Sequence, residues 1–211
     1  MAQAKRKAKT EKTFTYADYC TWPETVCCEL IDGVVFDMTP GPVRQHSLIS
    51  GNLFRQLRNF FEGKANEVHA APFDVRLPKK NERDEEIDTV VQPDIVVVCD
   101  ETKLDDKGCR GAPDLVVEIL SPSTASRDHI TKKALYEKHG AKEYWVVSPT
   151  DRTLIVYRQA PDGRFAEALL FADADVIKVT LFPGLEIDLQ KVFPPLSKIV
   201  REIPAIYKGR F

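Results

Sequence analysis

No apolar run in this chain approaches the ~18 residues that a membrane-spanning helix needs, and its basic N-terminus is followed by no apolar h-region of a secretory signal. A surplus of one charge is also missing. Thirty Lys and Arg side chains stand against 32 Asp and Glu, a formal charge of −2. That is neither the positive field of a dedicated nucleic-acid binder nor the acidic profile of a disordered chain, and it argues against constitutive, tight DNA binding. The five cysteines (Cys20, Cys27, Cys28, Cys99 and Cys109) are odd in number and lack paired CxxC spacings, which argues against a structural zinc site and a disulfide framework. A reducing cytoplasm is the expected location. No internal repeat or low-complexity segment occurs. What is present is 43% hydrophobic residues in a chain of 211, enough for one sizeable core, and the expectation is a single domain over 13–211 behind a tail over 1–12.

That tail carries Lys5, Arg6, Lys7, Lys9 and Lys12 with almost no large apolar residue, so burial cannot repay its ordering entropy and it reads as a flexible basic segment. Thr15 to Tyr19 suggests a short helix. Cys28 to Phe36 reads as a hairpin, because Asp32-Gly33 supplies the positive φ of a tight turn. From Gln45 to Phe61, the residues Ile49, Leu53, Leu57 and Phe60 form an apolar stripe on one side of a helix, with His46 on its extension. Val68 to Leu77, Val90 to Cys99 and Asp114 to Leu120 are three successive strand candidates. A charged hairpin loop, Lys79 to Asp88, separates the first two, and a polar connection, Asp100 to Arg110, precedes the third. Ser123, Thr124 or Ser126 are cap candidates for a helix from about Arg127 to His139 that Gly140 closes, and Glu143 to Val147 follows as a strand. A hairpin around Pro161-Asp162-Gly163, a strand over Val176 to Leu181 and a short C-terminal helix complete the order. The strand-helix-strand step from Glu118 to Val147 is long enough for a parallel crossover, so the expected architecture is α/β, a mixed sheet flanked by helices.

Two of these apolar strands carry carboxylates for which an apolar strand has no structural use: Asp94 behind Pro93, and Glu118. A buried ionised acid without a partner is strongly disfavoured, so such groups pair with a cation or coordinate a metal. On neighbouring strands, Asp94 and Glu118 can share Mg²⁺ or Mn²⁺, with a backbone carbonyl such as that of Ile119 completing a partial oxygen shell. On the next helix, Asp128, Lys132, Leu135, Tyr136 and His139 fall on one face while Lys133 points away with His129 and Glu137, so Lys132 is the better-placed cation. The structural readings are plain: an i,i+4 pair for Asp128 and Lys132, a strand-entrance cap for Asp114, and core aromatics for Tyr136, Tyr144 and Trp145.

Pro93-Asp94 followed by Glu118-Ile119-Leu120 resembles the metal-dependent PD-(D/E)XK nuclease superfamily, whose core runs helix, three strands, helix, strand; the likeness spans about Gln45 to Val147. More narrowly, the chain resembles a large bacterial family of putative restriction endonucleases, formerly known only as a domain of unknown function. The strings that carry this likeness are Glu29-Leu30-Ile31-Asp32-Gly33, Ala71-Pro72-Phe73-Asp74-Val75, Val91-Gln92-Pro93-Asp94, the run from Gly111 to Ser123, and Glu143-Tyr144-Trp145-Val146-Val147. The resemblance implies a restriction-endonuclease-like core (αβββαβ) with an N-terminal hairpin and C-terminal strands. It also implies hydrolysis of phosphodiester bonds with Mg²⁺ or Mn²⁺, double-stranded DNA as the expected partner, and a homodimer suited to cutting both strands. Asp94 and Glu118 would be the metal ligands, and a lysine would aid the attacking water. The motif's lysine position is Leu120, and the family likeness suggests that the cation has migrated to the helix, at Lys132. Glu29 matches an early glutamate, a candidate further ligand, and His46 a histidine at the start of the first long helix. Two other classes suit the same residues: a catalytically idle nuclease-fold module that binds nucleic acid or protein, and a mobile-DNA or toxin-like element that acts through a partner.

Overall fold

Strands as apolar as Ile95 to Val98 and Leu115 to Ile119 are hydrophobic on both faces and need cover on both. The computed structural model, which describes residues 13–23, 25–38, 44–121 and 127–195, supplies that cover with helices and a second sheet. The basic tail and the cap candidates Ser123, Thr124 and Ser126 lie outside the described residues. A helical turn, α1 (Tyr16–Tyr19), leads to the hairpin of β1 (Cys28–Ile31) and β2 (Val34–Asp37), followed by the long α2 (Arg44–Phe61). Then come β3 (Glu67–Ala70), β4 (Val75–Arg76), β5 (Val90–Val91), β6 (Ile95–Val98), β7 (Leu104–Asp105), β8 (Gly108–Arg110) and β9 (Leu115–Ile119). A π-helical turn (Arg127–Lys132) runs directly into α3 (Lys133–His139). The order ends with β10 (Glu143–Ser148), β11 (Thr153–Arg158), β12 (Leu169–Ala172), β13 (Val176–Lys178), β14 (Glu186–Asp188) and α4 (Leu189–Val192).

The central sheet has the order β12-β11-β10-β9-β6-β3. Within it, β3, β6 and β9 pair antiparallel and β9 and β10 parallel. The core is therefore α2, β3, β6, β9, α3, β10, the αβββαβ order, in a mixed sheet. One face packs Ile95, Val97, Val117 and Trp145 against Ile49, Leu53 and Leu57 of α2. The other packs Val96, Val116 and Val146 against Leu135 and Tyr136 of α3 and against Val75 and Val91 of the second sheet. The α2 stripe ends on the buried Phe61 rather than on Phe60, which is only partly buried against the same cluster. Among the described residues no helix is long and apolar enough to cross a membrane.

The single strands expected over Val68 to Leu77 and Val90 to Cys99 are each divided between two sheets, because β4 and β5 join β1, β2, β7 and β8 in the order β2-β1-β5-β4-β8-β7. The breaks fall at Pro72 and Pro93, residues that lack the N–H a ladder requires. The connection over Asp100 to Arg110 is likewise not merely a loop. It holds the two-residue β7 and the three-residue β8, elements too short to announce themselves by periodicity, and Cys109 at their centre is buried. Asp32 (φ 48°) and Gly33 (φ 78°) make the expected tight turn of the first hairpin.

Gly108 lets β8 lie close against the backbone that leads into β4. Its φ is +117°, and a Cβ placed there would lie 2.2 Å from the carbonyl oxygen of Asp74, the same oxygen that accepts the Cys109 N–H at 2.9 Å. Gly111 has a φ of +100° but open space around it. Gly111→Ala is expected to lose roughly 1–3 kcal/mol for the strained backbone, and Gly108→Ala distinctly more, since backbone cannot give way as a flexible side chain can. Urea unfolding of the two variants checks this; an equal loss would show that the Asp74 contact does not constrain the sheet.

Candidate active site

Ile95 pairs with Val117 in the β6/β9 ladder, so Asp94 and Glu118 are cross-strand neighbours at its end. The Asp94 carboxylate turns back onto the partner strand, where Oδ2 accepts the N–H of Ile119 at 2.7 Å. Its other oxygen, Oδ1, lies 3.2 Å from Nε2 of His46, carried by the first turn of α2. The Nδ1 of His46 is buried with no hydrogen-bond partner. Burial disfavours the imidazolium, but the Asp94 carboxylate outweighs it and raises His46 above its ordinary 6.5.

Glu118 lies deeper, 4% exposed, and the Nζ of Lys132 is 2.9 Å from its Oε1. The same ammonium is 2.8 Å from Oε1 of Glu29 on β1 and 3.7 Å from Oδ1 of Asp128 one turn back along the helix. Glu29 and Asp128 are as buried as Lys132 itself. Four ionisable side chains from two sheets and one helix therefore meet in the interior. Arg127 stands beside the cluster, with Nη1 3.9 Å from Oε2 of Glu29 and its guanidinium over the Phe36 ring. Burial works against the charged form of Lys132, yet Glu118, Glu29 and Asp128 outweigh it and hold the amine above its ordinary value. Burial also pushes the Glu118 carboxyl well above 4.5; Lys132 opposes that shift, while Asp128, Glu29 and Asp94 add to it. The ammonium stays charged, and among the described residues the three acids outnumber the two cations, Lys132 and Arg127.

Three contributors, Tyr136, Gln92 and Asp128, were given no site role from the sequence. The hydroxyl of Tyr136, a residue expected to be a core aromatic, donates to Oε1 of Glu118 at 2.8 Å. Its spacing of four from Lys132 on one helix face was the available signal. The backbone N–H of Gln92 donates to Oε1 of Glu29 at 3.0 Å, and its side-chain amide donates to Asp74 (2.7 Å) and to the Tyr19 hydroxyl (3.1 Å), tying the site to the second sheet. Asp128 belongs to the cluster and is more than a helix pair. Lys133 points away, with its Nζ 4.6 Å from the centre of the Tyr157 ring. Asp114 takes the structural role expected of it, accepting the Cys99 N–H at 2.8 Å and pairing with Lys142 at 2.6 Å.

A crystal structure described as a putative nuclease belonging to DUF820, from Anabaena variabilis, superposes with a TM-score of 0.67 at 21% identity. It covers 85% of this chain and 97% of its own, so the two share a fold. An uncharacterized protein of Synechocystis sp. is 30% identical over 136 residues, 64% of this chain and 67% of that one. Residues 16–190, which include every strand and helix of the core, match the family described as Uma2, putative restriction endonuclease. The chain belongs to this Uma2 family, with the mixed sheet and flanking helices of a PD-(D/E)XK-like nuclease fold.

Proposed function

We propose that the chain is a metal-dependent endonuclease that hydrolyses phosphodiester bonds in double-stranded DNA at the cluster of Asp94, Glu118 and Lys132. Besides the family, one observation carries the reading: three buried carboxylates share a single buried ammonium. A buried site with surplus negative charge is one that a further cation stabilises. The donors suit Mg²⁺ or Mn²⁺. Such ions take hard oxygen ligands and keep several waters, so two carboxylates and a carbonyl suffice. Asp94, Glu118 and the Ile119 carbonyl are donors of that kind. Among the described residues no group of three or more His, Cys, Asp or Glu forms a metal-holding set, which points away from an all-protein cage.

When bound, the ion would supply an activated water and charge stabilisation on the phosphate oxygens. The protein's own groups do the rest. Lys132, kept protonated by its acidic neighbours, provides a compact positive charge to orient that water or offset the charge developing on the phosphate. Glu29, 2.8 Å from the amine, also holds it and keeps it from following one acid alone. His46 and the Ile119 N–H fix the two oxygens of Asp94.

Purified protein with Mg²⁺ or Mn²⁺ is expected to nick supercoiled plasmid and cut linear duplex. Asp94→Asn, Glu118→Gln and Lys132→Met should each lower the rate by roughly a hundredfold or more. Calorimetric Mn²⁺ binding should be lost in the Asp94→Asn, Glu118→Gln double variant. Wild-type protein that neither cuts nor binds Mn²⁺ would sink the reading and leave an idle scaffold.

Protonation supplies an independent check. Glu118 and His46 both bind a proton more tightly folded than unfolded, so their contribution to stability is complete below the unfolded values of 4.5 and 6.5 and is lost as pH rises through the raised ones. The melting temperature of the metal-free protein should therefore fall as pH rises above 4.5 through the raised values, against a smaller opposing rise from His139, which burial holds below 6.5. Glu118→Gln should flatten the fall, and Mn²⁺ should raise the melting temperature more at the upper end than at the lower. A profile that rises with pH in this window contradicts the charge shortage on which the proposal stands.

A further inference from the structure

Among the described residues, both side-chain donors that reach Glu118 fall on one oxygen. The Lys132 ammonium is 2.9 Å and the Tyr136 hydroxyl 2.8 Å from Oε1. Two donors on one oxygen fix the rotation of the carboxylate and leave the lone pairs of the other, Oε2, to a further partner. Tyr136 has little freedom of its own. It is fully buried, its ring centre is 5.1 Å from that of Tyr144, and the Tyr144 hydroxyl is anchored on the Asp128 carbonyl at 2.9 Å. We propose that Tyr136 is a positioning residue, which with Lys132 ties Oε1 of Glu118 inward and so presents Oε2 to a divalent cation.

This inference rests on the metal-dependent nuclease reading and deepens it. Outer partners of a ligating carboxylate hold it in the geometry the metal needs, and losing one weakens metal binding about ten- to a hundredfold. The test is Mn²⁺ titration followed by electron paramagnetic resonance on wild type, Tyr136→Phe and a control, Tyr157→Phe, with the melting temperature of each metal-free protein taken alongside. Tyr136→Phe should bind Mn²⁺ about ten- to a hundredfold more weakly and regain most of its cleavage rate at saturating Mn²⁺, while Tyr157→Phe stays within about twofold of wild type. Replacing Tyr136 by 4-aminophenylalanine, which keeps a donor at the same place, should restore the affinity; a failure to do so overturns the proposal, including where Tyr136→Phe proves too unstable to titrate. A Tyr136→Phe protein that melts earlier but binds Mn²⁺ like wild type assigns the hydroxyl a purely structural role and also overturns it. Wild type without Mn²⁺ affinity removes the nuclease reading itself, and this inference with it.

Discussion

The Nζ of Lys132 lies between 2.8 and 3.7 Å from carboxylate oxygens of Glu29, Glu118 and Asp128, and each of these four side chains is at most 4% exposed. Charges withdrawn from water so completely are tolerated only with close partners of opposite sign. Even with Arg127 3.9 Å from Glu29, two cations face three carboxylates among the described residues. Among the described residues the cluster depends on that amine and carries more acids than cations, so the residues proposed as the metal site are also a structural keystone. Removing the amine would take the nearest counter-charge from three buried acids, a change that can break the fold itself. Isosteric changes to the acids separate the two effects better than truncation of the lysine.

The geometry of the cluster depends on the division of strands between sheets. Glu29 stands on β1 of one sheet and Glu118 on β9 of the other, and they come within reach of one amine because the chain changes sheet after Ala70 and again before Ile95. Gln92 lies in the second of these crossings. Its N–H secures Glu29, and its side chain secures Asp74 in the first crossing. The prolines that interrupt the strands thus do more than end ladders. They allow the second sheet to lie over the face on which Val116 and Val146 flank Glu118.

Much of this was legible in the residues. Periodicity marked α2, Asp32-Gly33 marked the first turn, and Gly140, with φ 84°, closes α3 where expected. Acids in apolar strands marked Asp94 and Glu118, because burial penalises them wherever the strands pair. Elements of two or three residues were not legible, since β7 and β8 carry too few positions for any period to show. The assembly of the second sheet escaped for a different reason: which short strands pair is settled by tertiary contacts, as when Val75 meets Cys109 across 33 intervening residues. The hydroxyl of Tyr136 was hidden by its ring. An aromatic on the buried face of a helix is most simply core, and only its spacing of four from Lys132 hinted that its polar end meets an acid.

The placement of Lys132 on the helix, with Leu120 on the strand, has a physical rationale as well. Position 120 shares a strand face with position 118, so a lysine there would run along the strand to reach Glu118. Leu120 instead packs against the apolar cluster that contains Val116, Tyr144 and Val146. That side of the carboxylate is filled, and the ammonium arrives from the helix above. Lysine acts as a point charge on a long stem, so distance matters to its electrostatics far more than the direction of approach. A helical origin also brings what a strand cannot. Asp128 and Tyr136 stand four residues to either side of Lys132 and share its face, so the element that delivers the amine also delivers a third acid to hold it and a hydroxyl for the oxygen it touches.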